Sequence, residues 1–294
     1  MVNIRAQYDR LPSNFRSFFR SLIPDRFLRW YAHEHTDVFL FSYPKCGRTW
    51  LRLMIGKAIV ILYDLPSSED NLFIRWKHPP HPQIPRLRVY HDDRPMLKTP
   101  EELETSKKKY QDKKVIFLVR DPRDVIVSSY FEIKNRAHLF GQNPYENHQQ
   151  GYEGSMEEFI HRRTGGFDSI IQYFNIWAEN RHIPADFLLV RYEDIKANPA
   201  VQLRRTLEFI GIGSIPEVVI DEAIEFASFE SMRQMETQGA IQHGMLKPGD
   251  KNATESFKTR KGKIRGFVDY LDDDEIEILN QKIQNKLDKY FGYS

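Results

Sequence analysis

The fold of this protein is decided by residues 38–62, which read VFLFSYPKCGRTWLRLMIGKAIVIL. The first four residues form a short apolar run that is typical of a buried strand. From Leu51 to Leu62 the apolar residues recur at helical spacing, which predicts an amphipathic helix. The connection between the two is short and contains Pro44 and Gly47. The stretch therefore predicts a strand, a tight loop and a helix.

The same order of elements recurs further along the chain. The apolar run Val115–Val119 is followed by Asp121, a predicted helix N-cap, and by Pro122 at the first helical position. The run Phe187–Val190 precedes a predicted helix over residues 198–211. Strands that alternate with helices favour a parallel sheet with crossover helices. We expect an α/β fold, a single domain with a central, mainly parallel sheet flanked by helices and with a P-loop-like anion-binding loop.

The remaining segments are less regular. Apolar residues from Ile276 to Tyr290 predict a C-terminal amphipathic helix. Residues 139–155 and 237–262 are rich in glycine, proline and asparagine, and they predict long loops of the kind that can cover a site. Residues 1–36 form a basic, aromatic N-terminal arm ahead of the domain predicted for residues 37–294. Such an arm could make weak contact with a membrane surface, but its prolines favour an arm packed over the main domain.

Charge and cysteine content exclude other classes of protein. The chain has 43 Lys+Arg against 41 Asp+Glu, a net charge of +2, which argues against a nucleic-acid partner. Its single cysteine, Cys46, excludes an internal disulfide and favours a reducing compartment. The chain also lacks an apolar segment long enough to span a membrane, and its N-terminus lacks the apolar core of a signal peptide. These features predict a cytoplasmic protein.

Three segments have the residues of an anion site. Residues 43–50 connect the carboxyl end of a predicted strand to a helix N-terminus, where free N–H groups and the helix dipole favour an anion. In residues 119–129, Arg120 leaves a strand end and Ser128 lies about two helical turns on. Residues 257–263 contain a basic run that could clamp a phosphate. The first segment is not a Walker A loop, because its lysine precedes its only glycine.

Together these segments resemble the sulfotransferases that use 3′-phosphoadenosine-5′-phosphosulfate (PAPS). The resemblance covers about residues 37–270 and rests on the ordered motifs YPKCGRTW, VIFLVRDPRDVIVSSY, LLVRYEDIKANP, SFESM and RKGK. It implies a phosphosulfate-binding loop of Lys45, Cys46, Gly47, Arg48, Thr49 and Trp50. It implies a 3′-phosphate site of Arg120, Ser128, Arg260, Lys261 and Gly262. It also implies that the adenine contacts Tyr192, Phe229 and Trp50.

The resemblance further implies transfer of a sulfuryl group to a hydroxyl, or as second choice an amine, of a small-molecule acceptor. His91 matches the catalytic base, and an ordinary imidazole is substantially neutral at pH 7. Lys45 would stabilise the leaving phosphate. No metal is expected, because the cationic residues could neutralise the donor. The alternatives are a P-loop-like kinase, with Asp121 as a magnesium ligand, and a non-catalytic nucleotide-binding module.

Several positions depart from the family pattern. Arg48 occupies a position where the animal cytosolic enzymes often have threonine. Val89 stands where they have a lysine close to the catalytic histidine, so that charge is absent or comes from elsewhere. The acceptor pocket is expected in loops 65–100, 130–166 and 236–256, and the acidic residues Asp92 and Asp93 beside His91 favour a polar or cationic acceptor. The oligomeric state stays open.

Overall fold

The computed structural model describes residues 25–76, 78–136, 152–241 and 246–294. The chain divides into two units that adjoin at Asp37 and Val38. In the first unit, helix α1 covers Asp25–Glu34 and begins directly after Pro24. The rest of the predicted arm, residues 1–24, lies outside the described residues, as does much of the predicted loop 139–155 and part of 237–262.

The described residues of the second unit form a four-stranded parallel sheet. Its strands, in the order β2-β1-β3-β4 across the sheet, are β1 (Val38–Ser42), β2 (Leu87–Tyr90), β3 (Lys114–Val119) and β4 (Asp186–Arg191). The predicted α/β class and the three predicted strands are confirmed. Strand β2 was not predicted, because only its first residue, Leu87, is buried, and the strand therefore lacks an apolar run.

The helices alternate with these strands. The described helices of the unit are α2 (Arg48–Leu62), α3 (Glu69–Leu72), α4 (Pro122–Arg136), α5 (Met156–His161), α6 (Phe167–Glu179), α7 (Tyr192–Ala197), α8 (Pro199–Ile210), α9 (Glu217–Phe226), α10 (Phe229–Gln238) and α11 (Asp273–Lys286). None of them is long and apolar enough to cross a membrane, and the same holds for α1. Short 3-10 turns cover Thr254–Ser256, Gly266–Asp269 and Lys289–Phe291.

The predicted helix boundaries hold with one correction. Helix α4 begins at Pro122, and the Asp121 carboxylate accepts the N–H of Arg123 at 2.9 Å. Helix α8 is capped by the Asn198 side chain and followed by Gly211 at φ 106°. The C-terminal helix ends at Lys286, and Tyr290 lies in the 3-10 turn beyond it. The prediction that one helix reaches Tyr290 was therefore wrong.

A buried aromatic cluster supports the sheet beneath the site. The Trp177 ring of α6 lies 5.2 Å from Phe41 of β1 and 5.5 Å from Phe117 of β3. All three side chains are fully buried. Burial of such large rings contributes about 2 kcal/mol each, so the cluster fixes the two central strands against α6.

Parallel strands bring their carboxyl ends to one edge of the sheet. The segments that leave this edge are residues 43–47 after β1, His91 after β2, Arg120 after β3 and Tyr192 after β4. In open α/β sheets this edge is where ligands bind. The fold therefore places two of the three predicted anion-binding segments, residues 43–50 and 119–129, next to one another.

Candidate active site

A cleft opens at the carboxyl edge of the sheet. It is lined by all but one of the residues that the sequence predicted for the site, namely Lys45, Gly47, Arg48, Thr49, Trp50, His91, Arg120, Ser128, Tyr192, Phe229, Arg260, Lys261 and Gly262. The exception is Cys46, whose thiol is fully buried and whose pKa is raised by that burial. Its side chain belongs to the core, so only its backbone can serve the cleft.

The cleft also contains residues that the motifs did not single out as ligands. They include Asp124, Glu132, Lys196, Met232, Leu246, Lys258 and Lys263. Asp124, Lys258 and Lys263 lie in segments that the sequence assigned to an anion site, and Glu132 lies in a loop expected at the acceptor pocket, but none of them was predicted to contact the donor. No local signal distinguishes a helix carboxylate that faces a cleft from one that faces water, which is why these residues were missed.

The anion loop, residues 43–50, has an unusual backbone. Lys45 and Gly47 adopt left-handed conformations, with φ of 73° and 93°. A Cβ atom on Gly47 would lie 2.5 Å from the Tyr192 ring, so only glycine fits. Beyond Gly47 the N–H groups of Arg48 and Thr49 belong to the first turn of α2, where a helix offers no backbone acceptor. The loop therefore presents amide donors and a helix N-terminus to the cleft.

Lys45 forms an ion pair inside the cleft. Its Nζ lies 2.5 Å from Glu132 Oε2, and the other carboxylate oxygen lies 3.0 Å from Lys258 Nζ. The Arg136 Nε is 3.4 Å from the same carboxylate. Burial opposes ionisation of Glu132, but these three cations together hold its pKa well below the usual range. Glu132 is therefore a stable anion that fixes two lysines at one place in the cleft.

The His91 ring is held between two groups of fixed hydrogen-bonding role. Its Nδ1 lies 2.8 Å from the Ser42 carbonyl oxygen, which can only accept, so Nδ1 carries the proton and donates it. Its Nε2 lies 2.7 Å from Arg48 Nη2, which can only donate, so Nε2 accepts. Burial, and then the Arg48 charge, lower the pKa of His91 well below its ordinary value. His91 is therefore a neutral imidazole of one tautomer.

The acidic residues beside His91, Asp92 and Asp93, do not line the cleft. Asp92 is 1% exposed, pairs with Lys107 Nζ at 2.7 Å and accepts the Tyr110 hydroxyl at 2.6 Å. The Asp93 carboxylate binds the Lys98 ammonium and accepts the N–H of Glu104 at 2.6 Å. Both carboxylates thus brace the loop that carries His91, and their expected role in acceptor choice stays a prediction.

Aromatic rings surround one end of the cleft. The rings of Trp50 and Tyr192 meet edge to face at 5.7 Å, and the Arg120 guanidinium lies 4.4 Å above Tyr192. The Phe229 ring is so close to Gly262 that a Cβ there would lie 2.7 Å from it. Flat faces beside a guanidinium suit a purine base and a phosphate. The resemblance assigns these rings to the adenine, and that role stays a prediction.

The basic run lies in the clamp segment, residues 258–267, which two carboxylates anchor. Glu236 accepts the N–H groups of Lys258 and Thr259 at 2.6 and 2.9 Å. Asp124 accepts the N–H groups of Arg265 and Phe267, each at 3.0 Å. The segment is thus fixed to α10 at its start and to α4 at its end. Its cations are held over the cleft without regular secondary structure of their own.

Each predicted 3′-phosphate cation already has a carboxylate partner. Arg120 Nη2 lies 3.2 Å from Asp124, and Lys261 Nζ lies 2.8 Å from Asp269. Arg260 Nη1 lies 3.1 Å from Glu255 and also contacts the Tyr270 hydroxyl. A phosphate that binds these cations must share them with the carboxylates. Among the described residues, no group of three or more His, Cys, Asp and Glu side chains could hold a metal ion.

A cleft of this kind, with a helix N-terminus, converging cations, stacking rings and a neutral histidine, fits a nucleotide-dependent group transferase. The chain matches the family model for the sulfotransferase domain over residues 35–291. It therefore belongs to the sulfotransferase family. The protein is an enzyme whose donor is PAPS, and the kinase and the non-catalytic module are set aside.

Known proteins similar to this chain include plant enzymes. The flavonol 3-sulfotransferase of Flaveria bidentis is 28% identical over 276 residues, which cover 87% of this chain and 83% of the relative. Cytosolic sulfotransferase 12 of Arabidopsis thaliana is 29% identical over 276 residues, 86% of this chain and 78% of the relative.

Solved structures share the fold at lower identity. Mouse sulfotransferase SULT7A1, complexed with 3′-phosphoadenosine-5′-phosphate (PAP), superposes with a TM-score of 0.57 at 19% identity. The superposition covers 86% of this chain and 84% of the SULT7A1 chain. Retinol dehydratase, in a complex with retinol and PAP, superposes with a TM-score of 0.57 at 20% identity, with 86% and 81% covered.

Proposed function

We propose that the enzyme transfers the sulfuryl group of PAPS to a hydroxyl of a small-molecule acceptor, with His91 as general base and Lys45 as the group that stabilises the leaving phosphate. The observation that carries this proposal is the neutral His91 ring. Its tautomer is fixed by Ser42, and its Nε2 shares one cleft with Lys45 and the first turn of α2. An amine acceptor is the second choice.

The residues account for each part of the transfer. His91 Nε2 takes the proton of the acceptor hydroxyl as the acceptor oxygen bonds to sulfur. The bond between sulfur and the 5′-phosphate oxygen breaks, and its electron pair stays on that oxygen. Lys45 and the amide donors of the anion loop stabilise the charge that develops there. The products are a sulfate ester and PAP.

The rest of the cleft would bind the nucleotide. We assign the 3′-phosphate to Arg120, Ser128, Arg260, Lys261 and the Gly262 backbone, and the adenine to Tyr192, Phe229 and Trp50. Two contacts support this assignment: the Arg120 guanidinium lies over the Tyr192 ring, and the Gly262 backbone lies against the Phe229 ring. We also propose a cytoplasmic enzyme, which the names of plant relatives support.

The proposal is tested with purified protein, sulfur-labelled PAPS and a panel of phenols, alcohols and amines, together with an extract of the source cells. We expect label in a product with a hydroxyl-derived sulfate ester. The variant His91→Ala should lose transfer by about 100-fold or more while it still binds PAP. The matched control is His161→Ala, because the His161 ring pairs with Glu275 at 3.1 Å and does not line the cleft. Full transfer by His91→Ala would remove His91 from the role of base.

The role of Lys45 needs its own pair of variants. Lys45→Met should lower kcat more than it weakens PAP binding, because the charge matters most when the leaving phosphate forms. Lys45→Arg keeps the charge and should retain more of the rate than Lys45→Met. Equal losses of rate and of PAP affinity in Lys45→Met would restrict Lys45 to donor binding.

A further inference from the structure

The contact between Arg48 and His91 occupies the atom that the base must use. A general base accepts the acceptor proton on a free lone pair, and the only lone pair of the His91 ring is on Nε2, since Nδ1–H donates to Ser42. That lone pair accepts a hydrogen bond from Arg48 Nη2 at 2.7 Å. An arginine in a protein cannot give up its proton, so this contact gives no route for proton transfer. Arg48 must leave Nε2 before His91 can act.

The position of Arg48 supplies a destination for its guanidinium. Arg48 is the first residue of α2, directly after Gly47, and it lines the cleft with Lys45 and Thr49. An anion at this helix N-terminus would lie against the residue that also reaches His91. Guanidinium groups bind phosphate and sulfate oxygens more strongly than a neutral imidazole nitrogen, because both partners are then charged.

Strand β2, which leads to His91, supplies no cation next to the His91 ring. Val89 lies two residues before His91 on β2 and is apolar, and the Arg88 guanidinium lies 5.3 Å above the Tyr90 ring. The positive charge next to the His91 ring therefore comes from the anion loop. A charge on that loop can respond to the donor, which a charge on β2 would do less directly.

We propose that Arg48 is a positioning residue that couples donor binding to exposure of the base. In the free enzyme, Arg48 donates to His91 Nε2 and blocks it. When the donor occupies the anion loop, the guanidinium turns to the donor's anionic oxygens, and Nε2 is free to receive an acceptor hydroxyl. The donor must therefore bind before His91 Nε2 can accept a proton from the acceptor. This inference rests on the proposed role of His91.

Among the described residues, the charges that act most strongly on the His91 ring come from three groups. They are Arg48 from α2, Lys258 from the clamp segment and Glu132 from α4. Lys258 and Glu132 bind each other at 3.0 Å, so their charges largely cancel at the ring. Arg48 is the one of the three that contacts the ring, and its removal should change both the hydrogen bond at Nε2 and the titration of His91.

The test uses the full chain, labelled with ¹⁵N, and long-range correlation spectra of the histidine ring nitrogens. His91→Ala assigns the His91 signals by their loss. In the free enzyme we expect a neutral ring with the proton on Nδ1. In Arg48→Met the Nε2 shift should move, and the titration midpoint of His91 should rise, while the proton stays on Nδ1. Arg48→Lys, which keeps a charge, should give a smaller change and retain the fold if Arg48→Met is unstable.

Addition of PAPS without an acceptor tests the coupling itself. In the wild type the Nε2 shift should move toward the value of free Arg48→Met, and in Arg48→Met the donor should leave it nearly unchanged. Lys282→Met is the matched control, since its ammonium pairs with Asp168 at 3.0 Å and does not line the cleft. It should respond to the donor as the wild type does.

Two results would overturn the inference. One is a wild-type Nε2 shift that saturating donor does not move, and the other is an Arg48→Met spectrum identical to that of the wild type. Both are read without turnover. If either result is found and His91→Ala still loses transfer, the coupling is rejected and His91 remains the base. If His91→Ala is active, the proposed mechanism itself is rejected.

Discussion

The anion loop and the clamp segment both present cations to one cleft, but they are held in place by different means. The anion loop is fixed by its own backbone, through left-handed Lys45 and Gly47 and the helix that follows. The clamp segment is fixed by Glu236 and Asp124, side chains that are remote from it in sequence. The first kind of support depends on conformation and the second on buried charge, so the two should fail differently when altered.

The largest effect is expected at Glu236. This residue is fully buried, and it pairs with Arg136 at 3.1 Å in addition to its bonds to the clamp segment. Glu236→Gln keeps the shape and removes the charge, which should lower the free energy of unfolding by about 3 kcal/mol. Chemical denaturation measures this value, and Glu217→Gln, an exposed partner of Arg204, is the control with almost no change. A stable Glu236→Gln with unchanged PAP affinity would show that the clamp segment needs no charged anchor.

Gly47 tests the conformational support of the anion loop. Gly47→Ala should cost about 2 kcal/mol for the left-handed conformation and should weaken PAP binding at least tenfold, because the new methyl group collides with Tyr192. Gly211→Ala is the control, since Gly211 has φ of 106° but nothing within 4 Å of a Cβ. It should lose stability without losing PAP affinity. Equal losses of affinity would show that the ring contact is unimportant.

An intermediate effect is expected at Asp124, the second anchor of the clamp segment. Asp124→Asn weakens the hydrogen bonds that hold Arg265 and Phe267, and the looser clamp segment should cost about 1.5 kcal/mol in affinity for PAP even though Arg120 loses a carboxylate partner. Adenosine 5′-phosphate, which lacks the 3′-phosphate, should lose less. Calorimetric titration of both nucleotides gives the ratio, with Asp168→Asn on α6 as control. If the ratio of the two affinities equals that of the wild type, Asp124 does not contribute to binding of the 3′-phosphate.

Asp269 should give the smallest effect, and in the opposite direction. Its hydrogen bonds with Lys261 and Lys263 lower its pKa to about 2. The carboxylate is therefore ionised at assay pH, and its contribution disappears only as the pH falls through about 2. Asp269→Asn should tighten PAP binding by less than tenfold, because Lys261 no longer divides its charge. Asp274→Asn, exposed on α11, is the control, and weaker binding by Asp269→Asn would mean that Asp269 positions Lys261.

The difference between the two supports also explains how far the sequence could be interpreted. The order of strand, loop and helix at residues 38–62 is a local pattern, and so are Pro122 and Gly211 at helix ends; the structure has all of them where the sequence placed them. The family resemblance placed the site residues, and the structure brings all except the Cys46 side chain to one cleft. Their individual roles stay predictions.

Long-range partners were outside the reach of the sequence. Glu132 and Glu236 fall in segments that the sequence assigned to loops at the acceptor pocket, and only the packing of α4 and α10 against the clamp segment makes them buried anchors. The partner of Asp92 was not predicted for the same reason, since Lys107 lies 15 positions away. Strand β2 was missed because an edge strand with one buried residue has no apolar run. Pair partners and edge strands are decided by tertiary packing, which composition and spacing do not record.

The pairing of four cleft cations with internal carboxylates has a consequence for the salt dependence of donor binding. Lys45, Arg120, Arg260 and Lys261 carry their own counter-ions in Glu132, Asp124, Glu255 and Asp269. Such a cleft attracts few mobile anions from the buffer, so a bound nucleotide displaces few of them. Affinity for a donor with several negative charges should therefore fall only gently with added salt, since the ions that it replaces are built into the protein.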